Sequence, residues 1–117
     1  MVHYLTPGFD ASFSALSDAT RRGVLERLGR ADCSISELAE RFDMTLTGMK
    51  KHVGVLERAG LVATQKVGRV RTCTLGPRRL TEEMDWMRSY HALWSSRFDA
   101  LDQVVEAMAR KDVTDGH

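Results

Sequence analysis

The segment from Thr45 to Leu75 leaves a short chain few ways to fold. TLTGMKKHVGVLERAG has helical spacing, with Met49, His52 or Val53, and Leu56 on the face expected to be buried. Gly60 follows at the position where a chain leaves a helix through the left-handed region, which a Cβ disfavours. LVATQKVGRVRTCTL then turns to β-branched residues, so strands are expected at 62–66 and 70–75, with Val67-Gly68-Arg69 turning between them and Gly76-Pro77 ending the hairpin. The same region concentrates charge. Between Thr45 and Arg79 stand eight cations (Lys50, Lys51, Arg58, Lys66, Arg69, Arg71, Arg78, Arg79) and one acid, Glu57, a local net of +7 in a chain whose net is +1.

The preceding residues supply helices. FDASFSAL (9–16) puts Phe9, Phe13 and Leu16 on one face, and Asp18 is placed to cap a second helix from Ala19 to Leu28. Ser34 caps a third, and Glu37 three residues on completes a capping box. Asp43-Met44 is a tight turn, and Thr45 caps the basic helix. Two helices joined by three or four residues, followed by a hairpin, form a mainly α winged helix-turn-helix with a small β wing. The helix-turn-helix is expected at about 34–59 and the wing at about 62–75.

From Leu80 the apolar residues Leu80, Met84, Met87, His91, Trp94, Phe98, Leu101, Val105 and Met108 step alternately by four and three, the seam of a coiled coil. Trp86, Tyr90 and Leu93 widen it. A helix over about 80–109 must bury this face on a partner or on the domain. The seam residues from Leu80 to Val105 are therefore candidates for a homodimer interface, with His91 as a buried polar residue setting register. Residues 110–117 are expected to be a disordered tail.

The bulk numbers exclude several classes. A chain of 117 residues fits one domain, residues 1–109 with the tail beyond. No stretch approaches the roughly 18 apolar residues of a membrane span. MVHYLTPGF lacks the regions of a secretory leader, and two cysteines make no disulfide framework, so the cytosol is expected. Residues 1–44 carry a net −2 and residues 80–117 a net −4, so near-neutrality hides a polarised molecule suited to a polyanion. No nucleophile–base pair, phosphate-cradling loop or ligand cluster points to an enzyme or a cofactor.

ALSDATRRGVLERL, SISELAERFDMTLTGMKKHVGVLERAGLV and KVGRVRTCTL together resemble the ArsR-type winged-helix repressors of bacteria, over about residues 12–76. The resemblance implies a homodimer on a palindromic operator in double-stranded DNA near its own promoter, with repression relieved by an inducer. It places Thr45–Arg58 in the major groove, with Leu46, Thr47, Gly48, Lys50 and Lys51 as reading positions, His52 as the histidine late in that helix, and Gly68 and Arg69 at the wing tip. WMRSYHALWSSRFDALDQVVE resembles a subgroup often encoded beside lipid-binding-like or Hsp90-activator-like domains. Metal sensors of the family carry Cys-x-Cys-Asp-Leu where this chain has Ser34-Ile35-Ser36-Glu37-Leu38. Others bind zinc through Asp and His on the last helix, where His91 stands alone. Hydroxyls and one imidazole do not make the N/S ligand set of a zinc site, so no metal is expected.

The expected DNA contacts are Thr45, Leu46, Thr47, Gly48, Lys50, Lys51, Lys66, Arg69 and Arg71. Arg22 is expected to form an ion pair with a nearby acid, and Arg21 to touch phosphate. His52 is expected to pack between helices. Two alternatives stay open: a thiol- or metal-responsive sensor using Cys33 and Cys73, and an interaction module that has lost DNA binding. The cysteines belong to elements that need not be adjacent, and small buried side chains are their default.

Overall fold

The computed structural model describes residues 8–115, with side chains described through Lys111. The N-terminal run read for a leader lies outside this range up to residue 7, as do residues 116–117. In order the chain forms α1 (Phe9–Leu16), α2 (Ala19–Leu28), β1 (Cys33–Ser34), α3 (Ile35–Arg41), α4 (Leu46–Arg58), β2 (Val62–Val67), β3 (Val70–Leu75) and α5 (Thr81–Asp115). These make two units, one ending at Leu80 and the other formed by α5. No helix among the described residues is long and apolar enough to cross a membrane.

Local chemistry sets the helix boundaries of the first unit. The Asp18 carboxylate accepts from the Arg21 backbone N–H at 3.0 Å. The Ser34 hydroxyl accepts from the Glu37 N–H at 3.1 Å while Glu37 returns a bond to the Ser34 N–H at 3.3 Å, the expected capping box. The Thr45 hydroxyl accepts from the Gly48 N–H at 3.0 Å. Both helices of the helix-turn-helix end in the same way. Asp43 (φ 53) and Gly60 (φ 78) take the left-handed position. The next N–H then reaches back to a helix carbonyl, Met44 to Ala39 at 2.8 Å and Leu61 to Leu56 at 3.0 Å.

The sheet is antiparallel, in the order β1-β3-β2. β2 runs one residue further than expected, to Val67, which pairs with Val70 and leaves Gly68-Arg69 as a two-residue turn. Only Gly68 has positive φ there (63°), as a turn with Gly at its first central position requires. Nothing in the sequence marks β1. Its two residues pair Cys33 with Cys73 and Ser34 with Thr72.

Ala15, Val24, Leu28, Ile35, Leu38, Met49, Val53, Leu56, Leu61 and Val62 form the core together with both cysteines. Full burial of each large side chain contributes roughly 1.5–3 kcal/mol. Val53 is buried, and it is the member of the His52/Val53 pair that faces inward.

α5 departs from expectation at both ends. It begins at Thr81, so Leu80 precedes it, with φ 63 and partly buried against the core of the first unit. At the other end the helix continues through Asp115, so the run to that residue is helical rather than a disordered tail. Its seam residues Met84, Met87, Trp94, Phe98, Leu101 and Val105 are all exposed in the single chain. Aromatic rings lie along it: His91 stacks on Trp94 at 6.3 Å, Trp94 lies 4.2 Å from Phe98, and Trp86 stacks on Tyr90 at 5.7 Å.

Candidate nucleic-acid interface

α4 and the wing enclose a groove. Its larger part is a cavity of about 310 Å³ lined by Ser34, which caps α3, Ile35 and Ser36 in its first turn, Leu46 and Lys50 from α4, and Lys66, Arg69, Val70 and Arg71 from the wing. Four of those nine residues are cations and none is acidic. A second cavity of about 240 Å³ adjoins it, sharing Ile35, Lys50 and Arg71 and adding Val53, Gly54, Glu57 and Thr64. Concentrated positive charge on the walls of one concave surface is the electrostatic footprint of a polyanion site.

The expected contact residues fall into two sets. Lys50, Leu46, Lys66, Arg69 and Arg71 come together on the groove wall. Thr45, Thr47 and Lys51 are exposed on the first turns of α4 but do not line it. Gly48 is half-buried, and a Cβ there would lie 3.0 Å from the Thr45 hydroxyl and 3.2 Å from the Met44 methyl. Its smallness therefore serves the helix cap, since its N–H is the donor that Thr45 holds.

Two arginines at the start of α2 are held by the fold. The Arg21 guanidinium donates to the carbonyls of Ala15 (2.9 Å) and Ser14 (3.1 Å) at the end of α1. Its remaining nitrogen lies 3.1 Å from His52 Nδ1 on α4. Arg21 thus ties three helices together instead of reaching for phosphate. Arg22 donates to the Leu16 carbonyl at 2.7 Å, the main-chain counterpart of the ion pair expected for it. His52 packs between helices as expected, with Asp18 3.9 Å from the same ring nitrogen. The Arg21 N–H bond, more than the His52 and Arg21 charges, holds the Asp18 carboxyl below its ordinary range.

Four polar residues of the site were not expected from the sequence. Ser34 and Ser36 line the groove, although Ser34 reads only as a cap and Ser36 as a substituted metal ligand. Glu57 and Thr64 line the smaller cavity, in a hydrogen-bonded chain with Arg71. The Thr64 hydroxyl donates to Glu57 Oε2 at 2.6 Å and accepts from Arg71 Nη1 at 3.1 Å. One signal was available, since a single acid among eight cations is a natural partner for one of them.

A model of a helix-turn-helix domain matches residues 16–65, which span α2 to most of β2. The transcriptional repressor SdpR of Bacillus subtilis is 27% identical over 78 residues, 67% of this chain and 87% of that protein. The HTH-type transcriptional regulator Rv2034 of Mycobacterium tuberculosis is 34% identical over 77 residues, 66% of this chain and 70% of that one. Among solved structures, the ArsR-like transcriptional regulator from Rhodococcus sp. RHA1 superposes with a TM-score of 0.75 at 34% identity, covering 92% of this chain and 98% of that chain. Fold, helix-turn-helix and identity agree: the chain belongs to the ArsR family of winged helix-turn-helix transcriptional regulators.

Proposed function

We propose that the protein is a dimeric repressor that grips a palindromic operator, with α4 in the major groove and the wing on the flanking backbone. The groove carries this reading: its larger cavity is lined by Lys50, Lys66, Arg69 and Arg71 and by no acid. Thr47 and Lys51, exposed on the first turns of α4, are the base-edge or phosphate contacts beside it. The wing-tip Arg69 reaches the backbone or minor groove. The exposed seam from Met84 to Val105 supplies the second copy, because a helix with so large an unburied apolar face packs on another. Repression follows the name of the Bacillus relative. Such a regulator acts in the cytosol, and the inducer that the family implies would act on the dimer.

Selection from a random duplex library tests the whole reading. The expected product is an imperfect palindrome with half-sites about one helical turn apart. Its affinity should fall steeply with salt, log K losing about 0.9 per phosphate neutralised for each unit of log salt. Enrichment of no sequence, or of a single asymmetric half-site, would remove the dimeric-operator reading.

A further inference from the structure

We infer that Cys33 and Cys73 are an oxidation site that closes to a cross-strand disulfide and clamps the start of the helix-turn-helix to the wing. The two residues are direct partners in the antiparallel β1–β3 ladder, and both are free thiols. Opposed residues in such a ladder have Cα atoms about 4.5–5.5 Å apart with side chains on one face, inside the roughly 4.4–6.8 Å that disulfides span. Neither side chain is diverted to solvent, at 3% and 0% exposure. Burial, then the nearby Cys33, pushes the Cys73 thiol up to about 11, while Cys33 Sγ lies 3.9 Å from Glu37 Oε2.

The two buried thiols differ in the strand that carries them. Cys73 lies in the central strand, whereas Cys33 lies in a two-residue edge strand that needs little opening to meet a reagent. The oxidant is a low-molecular-weight disulfide of the glutathione type. Cys33 loses its proton to solvent, and its sulfur attacks one sulfur of that reagent, forming a mixed disulfide and releasing one thiolate. Cys73 then loses its proton, and its sulfur attacks Cys33 Sγ and expels the second thiolate. Two protein thiols are oxidised and one reagent disulfide becomes two thiols. The new covalent loop encloses α3, α4 and β2. If α4 and the wing grip DNA as proposed above, the clamp fixes their spacing without removing a charge; the disulfide itself does not depend on that reading.

The test uses the full chain, incubated with oxidised glutathione and then alkylated under denaturing conditions. The expected product has no free thiol, retains no glutathione and is lighter by two hydrogens. It should melt roughly 10 °C or more above the same sample reduced with dithiothreitol. Cys73→Ala should trap glutathione on Cys33, and Cys33→Ala should leave Cys73 unmodified. Two free thiols after treatment, glutathione held stably by the parent chain, or an oxidised form that melts no higher would overturn the inference. Glutathione trapped on Cys73 in the Cys33→Ala chain would overturn the order of attack.

Discussion

The Thr64 hydroxyl on β2 donates to the Glu57 carboxylate at the end of α4, 2.6 Å away, and the same oxygen receives the Arg71 guanidinium from β3. One threonine therefore joins the helix to both strands of the wing. Thr64→Val keeps the shape and removes both bonds. The expected loss of stability is about 1 kcal/mol, read as a lower melting temperature. Glu57→Gln removes the acid beside the cations, so non-specific DNA binding should tighten at low salt in a filter or anisotropy titration. Unchanged binding by Glu57→Gln would mean that the groove's charge does not face DNA.

Lys50 lines both cavities, and Lys51 lines neither. Lys50→Ala should weaken duplex binding several-fold at moderate salt and lower the salt slope by about 1, with the melting temperature unchanged. Lys51→Ala should show a similar slope change only if the first turns of α4 meet phosphate. Parent-like binding by both variants would displace α4 from the interface.

Arg21 and Arg22 are neighbours with unlike duties. Arg21→Ala deletes a half-buried guanidinium bonded to two carbonyls and a histidine, and should cost roughly 2 kcal/mol. Arg22→Ala removes one exposed bond and should stay within about 0.5 kcal/mol. Chemical denaturation of both variants separates the two roles.

Acid should loosen the helix caps. Asp18 is held low first by the Arg21 N–H, and Glu37 first by the Ser34 hydroxyl, against ordinary values of 3.8 and 4.5. A carboxyl depressed in the fold stabilises it at pH values above the ordinary one, and that contribution fades as pH falls through the folded value. The melting temperature should therefore decline below about pH 4.5, and Glu37→Gln should melt lower at neutral pH with a flatter acid limb. A Glu37→Gln chain whose acid limb matched the parent's would show that the capping box contributes nothing to it.

Association should depend on the middle of α5. Trp94 and Leu101 lie on the seam, each about half exposed in the single chain. Leu101→Arg should convert a dimer to a monomer in sedimentation experiments while leaving the helical circular dichroism of the first unit in place. A parent chain that sediments as a monomer at tens of micromolar would remove the dimer.

Caps made most of the fold legible in the sequence. Asp18, Ser34, Thr45 and Gly60 act within three or four residues of themselves, so α2, α3 and α4 can be placed from short words of sequence. Thr64 and Arg71 were harder, because their partnership exists only once the hairpin register is known. β1 left no trace, since two residues have no period, and with it went the pairing of Cys33 to Cys73. The far end of α5 was missed for a different reason. The apolar seam stops at Met108, but extending an established helix needs no new nucleus, so the polar residues that follow continue it.

The glycines at the two ends of the wing differ in what they permit. At the base, a Cβ on Gly76 would collide with the Gly60 carbonyl oxygen and lie 2.8 Å from the Val62 nitrogen. At the tip, a Cβ on Gly68 would meet nothing within 4 Å. Inheritance therefore has unequal freedom along one hairpin. A lineage of such chains can try new side chains and turn lengths at the tip, limited there by backbone conformation alone, while the crossing at the base rejects any side chain. Side chains can change where the wing ends without the platform that carries it having to change.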